Sequence, residues 1–174
     1  LDDVLVNFDG ITYAKGASVL RQLVAWVGQE NFMVGVRAYI AKHAWQNTEL
    51  PDLMTELEAA SGRDLSEWTR VWLETSGVNT LRTEVETDEA GTITALRLRQ
   101  SAPDGSPSAP GDDVLRPHRL AVGFYDVDEA TGRLIRTERF ELDVAGEVTE
   151  VVEAAARRRP AVILPNDDDL AYAK

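Results

Sequence analysis

Five groups of residues have side chains that could do chemistry: Tyr13 beside Lys15 and Gly16, His43, His118, the acidic run Asp167-Asp168-Asp169, and the basic run Arg157-Arg158-Arg159. A phenol can donate a hydrogen bond to a developing oxyanion. Histidine can bind a metal or move a proton, but a helical zinc pair needs its two histidines at i and i+4. His43 and His118 lie far apart, so neither has a ligand partner at suitable spacing. His43 reads as a structural residue at a helix end, where the helix dipole favours a cation. His118, next to Pro117 at the start of a strand, reads as surface or structural. The acidic triplet lacks the alternating ligands, central glycine and distal glutamate of a calcium loop, and reads as a polar turn or helix cap. The arginine run reads as a solvated turn before Pro160. Taken alone, Tyr13 reads as a core aromatic with a hydrogen-bonded hydroxyl. Trp26, Trp45, Trp68 and Trp72 all read as core packing.

The elements that must position these residues fall into two kinds. Apolar residues recur at helical spacing in the first half. Val19, Leu20, Leu23, Val24 and Val27 predict a helix over Ala17–Val27, with Gly28 as its stop. A second helix is predicted from Glu30 to Ala44, with Phe32, Met33, Val36, Tyr39 and Ile40 on its apolar face. A third covers Leu50–Ala60, with Pro51 in the first turn and Gly62 as C-cap. Asp64 opens a fourth, with Glu67 in a capping-box position and Leu65, Trp68, Val71 and Trp72 inward.

After Val78 the period becomes two. Strands are predicted around Leu81–Val85, Leu96–Arg99, Leu120–Phe124, Leu134–Leu142 and Ala161–Leu164. Glu89-Ala90-Gly91 and Ala130-Thr131-Gly132 mark hairpin turns. Ser101 to Asp113, rich in Pro, Gly, Ser and Asp, reads as a mobile surface loop. The predicted class is α+β: about four helices, then a small antiparallel β-sandwich.

Composition narrows the partners. The 174 residues carry 18 Lys and Arg against 30 Asp and Glu, a formal net charge of -12, which disfavours nucleic acid and anionic membranes. No cysteine is present, excluding disulfides and thiolate chemistry. No apolar run approaches the roughly 18 residues of a membrane helix. The start Leu1-Asp2-Asp3-Val4 suggests a chain cut from something longer.

One stretch carries a family resemblance. Asp9-Gly10-Ile11-Thr12-Tyr13-Ala14-Lys15-Gly16-Ala17-Ser18-Val19-Leu20 resembles the Tyr-x-Lys-Gly-x-x-x-Leu segment of aminopeptidase N-like zinc metallopeptidases, the gluzincin family. Gly28-Gln29-Glu30-Asn31-Phe32, Asp64-Leu65-Ser66-Glu67-Trp68, Trp72-Leu73-Glu74-Thr75-Ser76-Gly77 and Leu164-Pro165-Asn166-Asp167 follow in that family's order.

The resemblance implies that residues 1–78 close a thermolysin-like catalytic domain, 79–164 form a β-sandwich domain, and 165–174 begin a linker into a C-terminal helical domain. It implies a parent enzyme that removes N-terminal residues from peptides with zinc as cofactor, in the cytoplasm. Tyr13 would be its transition-state donor to the scissile carbonyl. Gly16 would allow tight packing at a helix start, and Lys15 would ion-pair in the parent. The family's His-Glu-x-x-His motif and later Glu are absent from this chain and would lie upstream of Leu1. The fragment is therefore expected to be inactive and metal-free, with the remainder of the parent packing on its helices. Without that remainder, Val24, Phe32 or Tyr39 would be exposed. The alternative is a non-catalytic helical and β-sandwich module that binds protein or carbohydrate.

Overall fold

The structure is a computed structural model that describes residues 10–75, 77–102 and 114–174, with the backbone alone described for 10–12. The predicted surface loop from Ser101 falls, from residue 103 to 113, outside the described residues. The chain divides into two compact units, Leu1–Glu74 and Thr75–Lys174. The predicted class, helices followed by antiparallel strands, is the one observed. The division falls a few residues before the expected boundary at 78.

The first unit contains α1 (Gly10–Val27), α2 (Gln29–His43), α3 (Leu50–Ser61) and α4 (Ser66–Leu73). α1 starts seven residues before the predicted Ala17, because Gly16 is taken up in mid-helix and does not delay the start. Val19, Leu23 and Val27 are buried along one face, with Gln22 beside them. Leu20, predicted inward, is 53% exposed. α2 buries Gly35 rather than the predicted Met33 or Ile40. The reason is close approach: a Cβ on Gly35 would lie 2.8 Å from Leu57 Cδ2 and 3.0 Å from the Glu56 carbonyl. α2 meets α3 backbone to backbone at this point.

Capping differs from the prediction. The box forms on α3, where Glu49 and Asp52 satisfy each other's backbone N–H groups, the return bond to Glu49 N being 2.9 Å. Asp64 instead accepts from Ser66 N, and Glu67 forms a bidentate pair with Arg70. Leu65 N–H is taken by the Glu58 carboxylate across the α3–α4 turn at 2.8 Å. Leu65, Trp68, Val71 and Trp72 are buried as expected, the two indoles stacked at 5.9 Å. Trp45 corrects the expectation for all four tryptophans: it is fully exposed, at φ 66 just beyond α2. Trp26 is half-buried, with the Arg63 guanidinium 4.5 Å from its ring centroid.

The second unit holds two three-stranded antiparallel sheets. One has the order β1 (Thr80–Thr87), β2 (Ile93–Ser101), β5 (Val148–Glu150). The other has the order β4 (Leu134–Val144), β3 (His118–Val127), β6 (Val162–Asp167). Both predicted hairpins form, each on an aspartate that takes the turn's amides: Asp88 accepts from Ala90 N and Thr92 N, and Asp128 from Ala130 N. β5 and the 3-10 turn Val152–Ala154 carry too little pattern to be foreseen.

One core joins the sheets. Leu81, Ile93, Leu96 and Leu98 come from the first, and Leu120, Val122, Phe124, Phe140 and Val144 from the second. Phe124 and Phe140 meet edge to face at 5.0 Å. The opposite faces are laced with ion pairs, including Arg99 with Glu84, Arg119 with Glu141 and Asp143, and Arg139 with Asp168. Such charges on the edge strands β1 and β4 also discourage strand addition.

Residues 165–174, expected to begin a linker, are still part of this unit. β6 runs on to Asp167, Ala171 reaches the core, and Lys174 exchanges backbone hydrogen bonds with Asn79 and Leu81.

His118 is fully buried at the start of β3, which removes the surface alternative. Burial, and secondarily the nearby Arg116 cation, push its imidazole down to about 4. The unfolded chain therefore binds this proton more readily than the folded one, and stability falls as pH drops from the ordinary 6.5 toward 4. The full loss at the acid end is on the order of 3 kcal/mol. Urea unfolding at pH 7 and pH 4.5 should show a larger acid loss for the native sequence than for His118→Gln; equal losses would count against a neutral buried imidazole.

Candidate functional site

Tyr13 lies in the first turns of α1, one turn before Gly16 and two before Leu20. Its side chain is 65% exposed rather than buried. The reading of Tyr13 as a core aromatic, which spacing alone suggested, is thus not what the fold does with it. Ala14, Lys15, Gly16 and Ala17 are exposed around it, and the buried face of the helix begins at Val19. Within the helix Ser18 donates to the Ala14 carbonyl at 2.9 Å.

The far end of α1 fixes its direction. Gly28 closes it by donating to the Val24 carbonyl at 2.9 Å, then accepts from Phe32 N at 2.9 Å inside α2. Its φ of 87 is a conformation that costs other residues about 1 kcal/mol or more. The Asn31 amide caps the Val27 carbonyl at 2.9 Å, so the joint between the helices is one residue long and hydrogen-bonded on both sides.

Of the other candidates, only His43 shares the first unit with Tyr13. His43 ends α2 as expected, its ring tilted against Tyr39 at 5.5 Å. His118 belongs to the second unit. Among the described residues no three His, Asp or Glu side chains are grouped to hold a metal ion. The Asp167-Asp168-Asp169 run is a turn tied to arginines: Asp167 accepts from Tyr125 and Arg136, and Asp168 pairs with Arg136 and Arg139. Those guanidiniums hold the Asp168 carboxyl below its usual range, and the carboxylates are committed to them. In the arginine run, Arg157 pairs with Glu138 at 3.3 Å, and the three are exposed. What this site can supply is a single phenol on a solvent-facing helix.

The Peptidase family M1 domain matches residues 2–72, which include Tyr13 and all four helices except the last residue of α4. Over all 174 residues the chain is 60% identical to an aminopeptidase N of Streptomyces lividans. The chain belongs to the M1 peptidases. It is also 37% identical over 151 residues, 86% of its length, to aminopeptidase 2 of Candida albicans. It spans 20% and 16% of those two relatives respectively, so most of their length has no counterpart here. Among solved structures, Legionella pneumophila aminopeptidase A in complex with aspartic acid aligns over 89% of this chain and 18% of that one, with TM-score 0.51 and 16% identity, a likeness of fold.

Gly16 departs from the expectation for this M1 segment. It lies inside α1, not at its start, and a Cβ built on it meets nothing within 4 Å among the described residues. It therefore packs tightly against none of them. An interior helical glycine costs about 1 kcal/mol relative to alanine. Gly16→Ala should raise the stability of the helical unit by roughly that amount in thermal or urea unfolding. A loss of stability would show that something already occupies the space.

Proposed function

We propose that this chain is part of a zinc-dependent aminopeptidase and that Tyr13 is its contribution to the chemistry. The observation that carries this reading is the exposure of Tyr13 on α1, inside the segment matched by the M1 domain. A buried hydroxyl could reach no substrate, whereas this one faces outward at 65% exposure.

The role follows from charge development. Attack on a peptide carbonyl turns a weakly polar oxygen into an oxyanion. A phenol fixed on a helix and aimed at that oxygen binds the transition state more strongly than the ground state, and so lowers the barrier. In this role Tyr13 acts as a hydrogen-bond donor.

Zinc does not fit the residues present. Among those described there is no group of three ligands, and the two histidines sit in separate units. The metal and its chemistry are assigned to other parts of the polypeptide, in a His-Glu-x-x-His helix with a later Glu. The helical unit forms a wall beside that site, with the rest of the protein packed on it. Unpartnered apolar side chains on this unit support such packing: Leu20, Met33, Val34 and Ile40 are 53%, 44%, 53% and 60% exposed. The expected Val24, Phe32 and Tyr39 are only half-buried.

The two-sheet unit is read as a β-sandwich spacer. Substrates are peptides with a free N-terminus. The protein acts in the cytoplasm and takes neither nucleic acid nor membrane as partner, in keeping with its net charge of -12.

In the full-length protein, Tyr13→Phe should lower kcat by roughly 100- to 1000-fold, with zinc content unchanged. Turnover of an aminoacyl anilide with metal analysis checks this, and unaltered turnover removes Tyr13 from the mechanism. The reading frame upstream of Leu1 should encode His-Glu-x-x-His followed by a Glu. A frame without that set would favour the non-catalytic binding module instead.

A further inference from the structure

Four polar residues are buried at one end of the sheet unit: Asn79 at 1% exposure, Gln100 and Arg116 at 2%, and His118 at 0%. Burying so many polar groups is costly unless their hydrogen bonds hold something in place. Asn79 and Arg116 bond each other, and Gln100 joins them through the Arg116 carbonyl. The Asn79 amide nitrogen donates to the Val114 carbonyl at 2.7 Å and more weakly to Ser101 at 3.4 Å. Its side-chain oxygen accepts from Arg116 N at 3.2 Å and from the Arg116 guanidinium at 3.4 Å. Its backbone carbonyl accepts from Lys174 N at 2.9 Å, and Lys174 returns its own carbonyl to Leu81 N at 2.8 Å. Arg116 extends the contact to the Thr75 hydroxyl at 2.5 Å and, through its carbonyl, to Gln100 at 2.8 Å.

One residue thus ties three segments: the Asn79 side chain reaches the end of β2 and the segment leading into β3, and its backbone carbonyl reaches the outgoing segment at 174. A second device holds the outgoing segment. Asn166, at φ 58, donates to the Ala171 carbonyl at 2.9 Å and accepts from Ala171 N at 2.7 Å, forming a closed loop after β6. Ala171 is drawn into the core as a result.

We propose that the sheet unit is a clasp centred on Asn79, which locks its incoming and outgoing segments together so that they open as one. It is therefore a rigid coupling rather than a passive spacer. Strain applied at Asn79 is felt at Lys174 through two backbone hydrogen bonds, while the buried amide holds Asn79 itself in place. The inference concerns this unit alone, and its test does not depend on peptidase activity.

Hydrogen exchange followed by mass spectrometry on the full-length protein distinguishes a clasp from independent segments. In Asn79→Ala, peptides reporting Leu81, Arg116 and Lys174 should all exchange at least about tenfold faster, while Leu120–Phe124 in the core stays unchanged. Faster exchange confined to Arg116, or none at all, would overturn the clasp. Should Asn79→Ala fail to fold, Asn166→Ala decides. It removes only the outgoing loop, and a clasp requires Leu81 to quicken together with Lys174. Quickening at Lys174 alone would show that the segments move separately.

Discussion

The helical unit depends on how closely α2 can lie on α3, and that is set by the missing side chain at Gly35. With Leu57 Cδ2 and the Glu56 carbonyl within 3.0 Å of where a Cβ would be, any other residue there would force the backbones apart. Little else of α2 is buried, so the usual apolar stripe cannot hold it in place. Contact along a bare backbone replaces it, together with the Lys42–Glu56 ion pair at 2.8 Å. That pair is largely exposed at its lysine end, where solvent screens it. α1, and with it Tyr13, is attached to this arrangement through Gly28.

The sheet unit solves a different problem. Two small sheets share a core of aliphatic residues and two phenylalanines, while the long acidic surface is kept in register by arginines placed between carboxylates. Its polar interior is concentrated at one end around Asn79, where the chain comes in and goes out. A core of leucines tolerates rearrangement of its contents, but a buried amide with several partners does not, because each lost partner leaves a desolvated group unpaired. The specificity of the unit's geometry therefore resides in that corner more than in its apolar middle.

Much of this was legible in the residues. Helical spacing picked out Leu23, Leu65, Trp68 and Val71, and alternation picked out Leu98 and Phe124, because a single apolar face facing one core imposes its period on the sequence. The hairpins were legible because glycine with a nearby aspartate has few other uses. The start of α1 was not, since a glycine at position 16 argues against a helix, yet α1 runs through it. Nor was the box at Glu49, a residue type seldom used as a cap. The burial of Asn79, Arg116 and His118 and the full exposure of Trp45 run against residue type, and only the partners supplied by the fold decide them. The role proposed for Tyr13 came from its motif neighbours; spacing alone pointed to a core aromatic, and the side chain is 65% exposed.

The single-residue joint at Gly28 has a mechanical consequence. From Gly28 to Tyr13 the helix runs about 22 Å at 1.5 Å per residue. A helix of that length acts as a lever, and a tilt of about 5° at the joint moves its far end by roughly 2 Å. Displacements near 1 Å can already cost about a hundredfold where a donor must meet a reacting oxygen. For the donor role proposed for Tyr13, the angular tolerance would thus be set some four turns away, by a glycine and the asparagine amide that braces it.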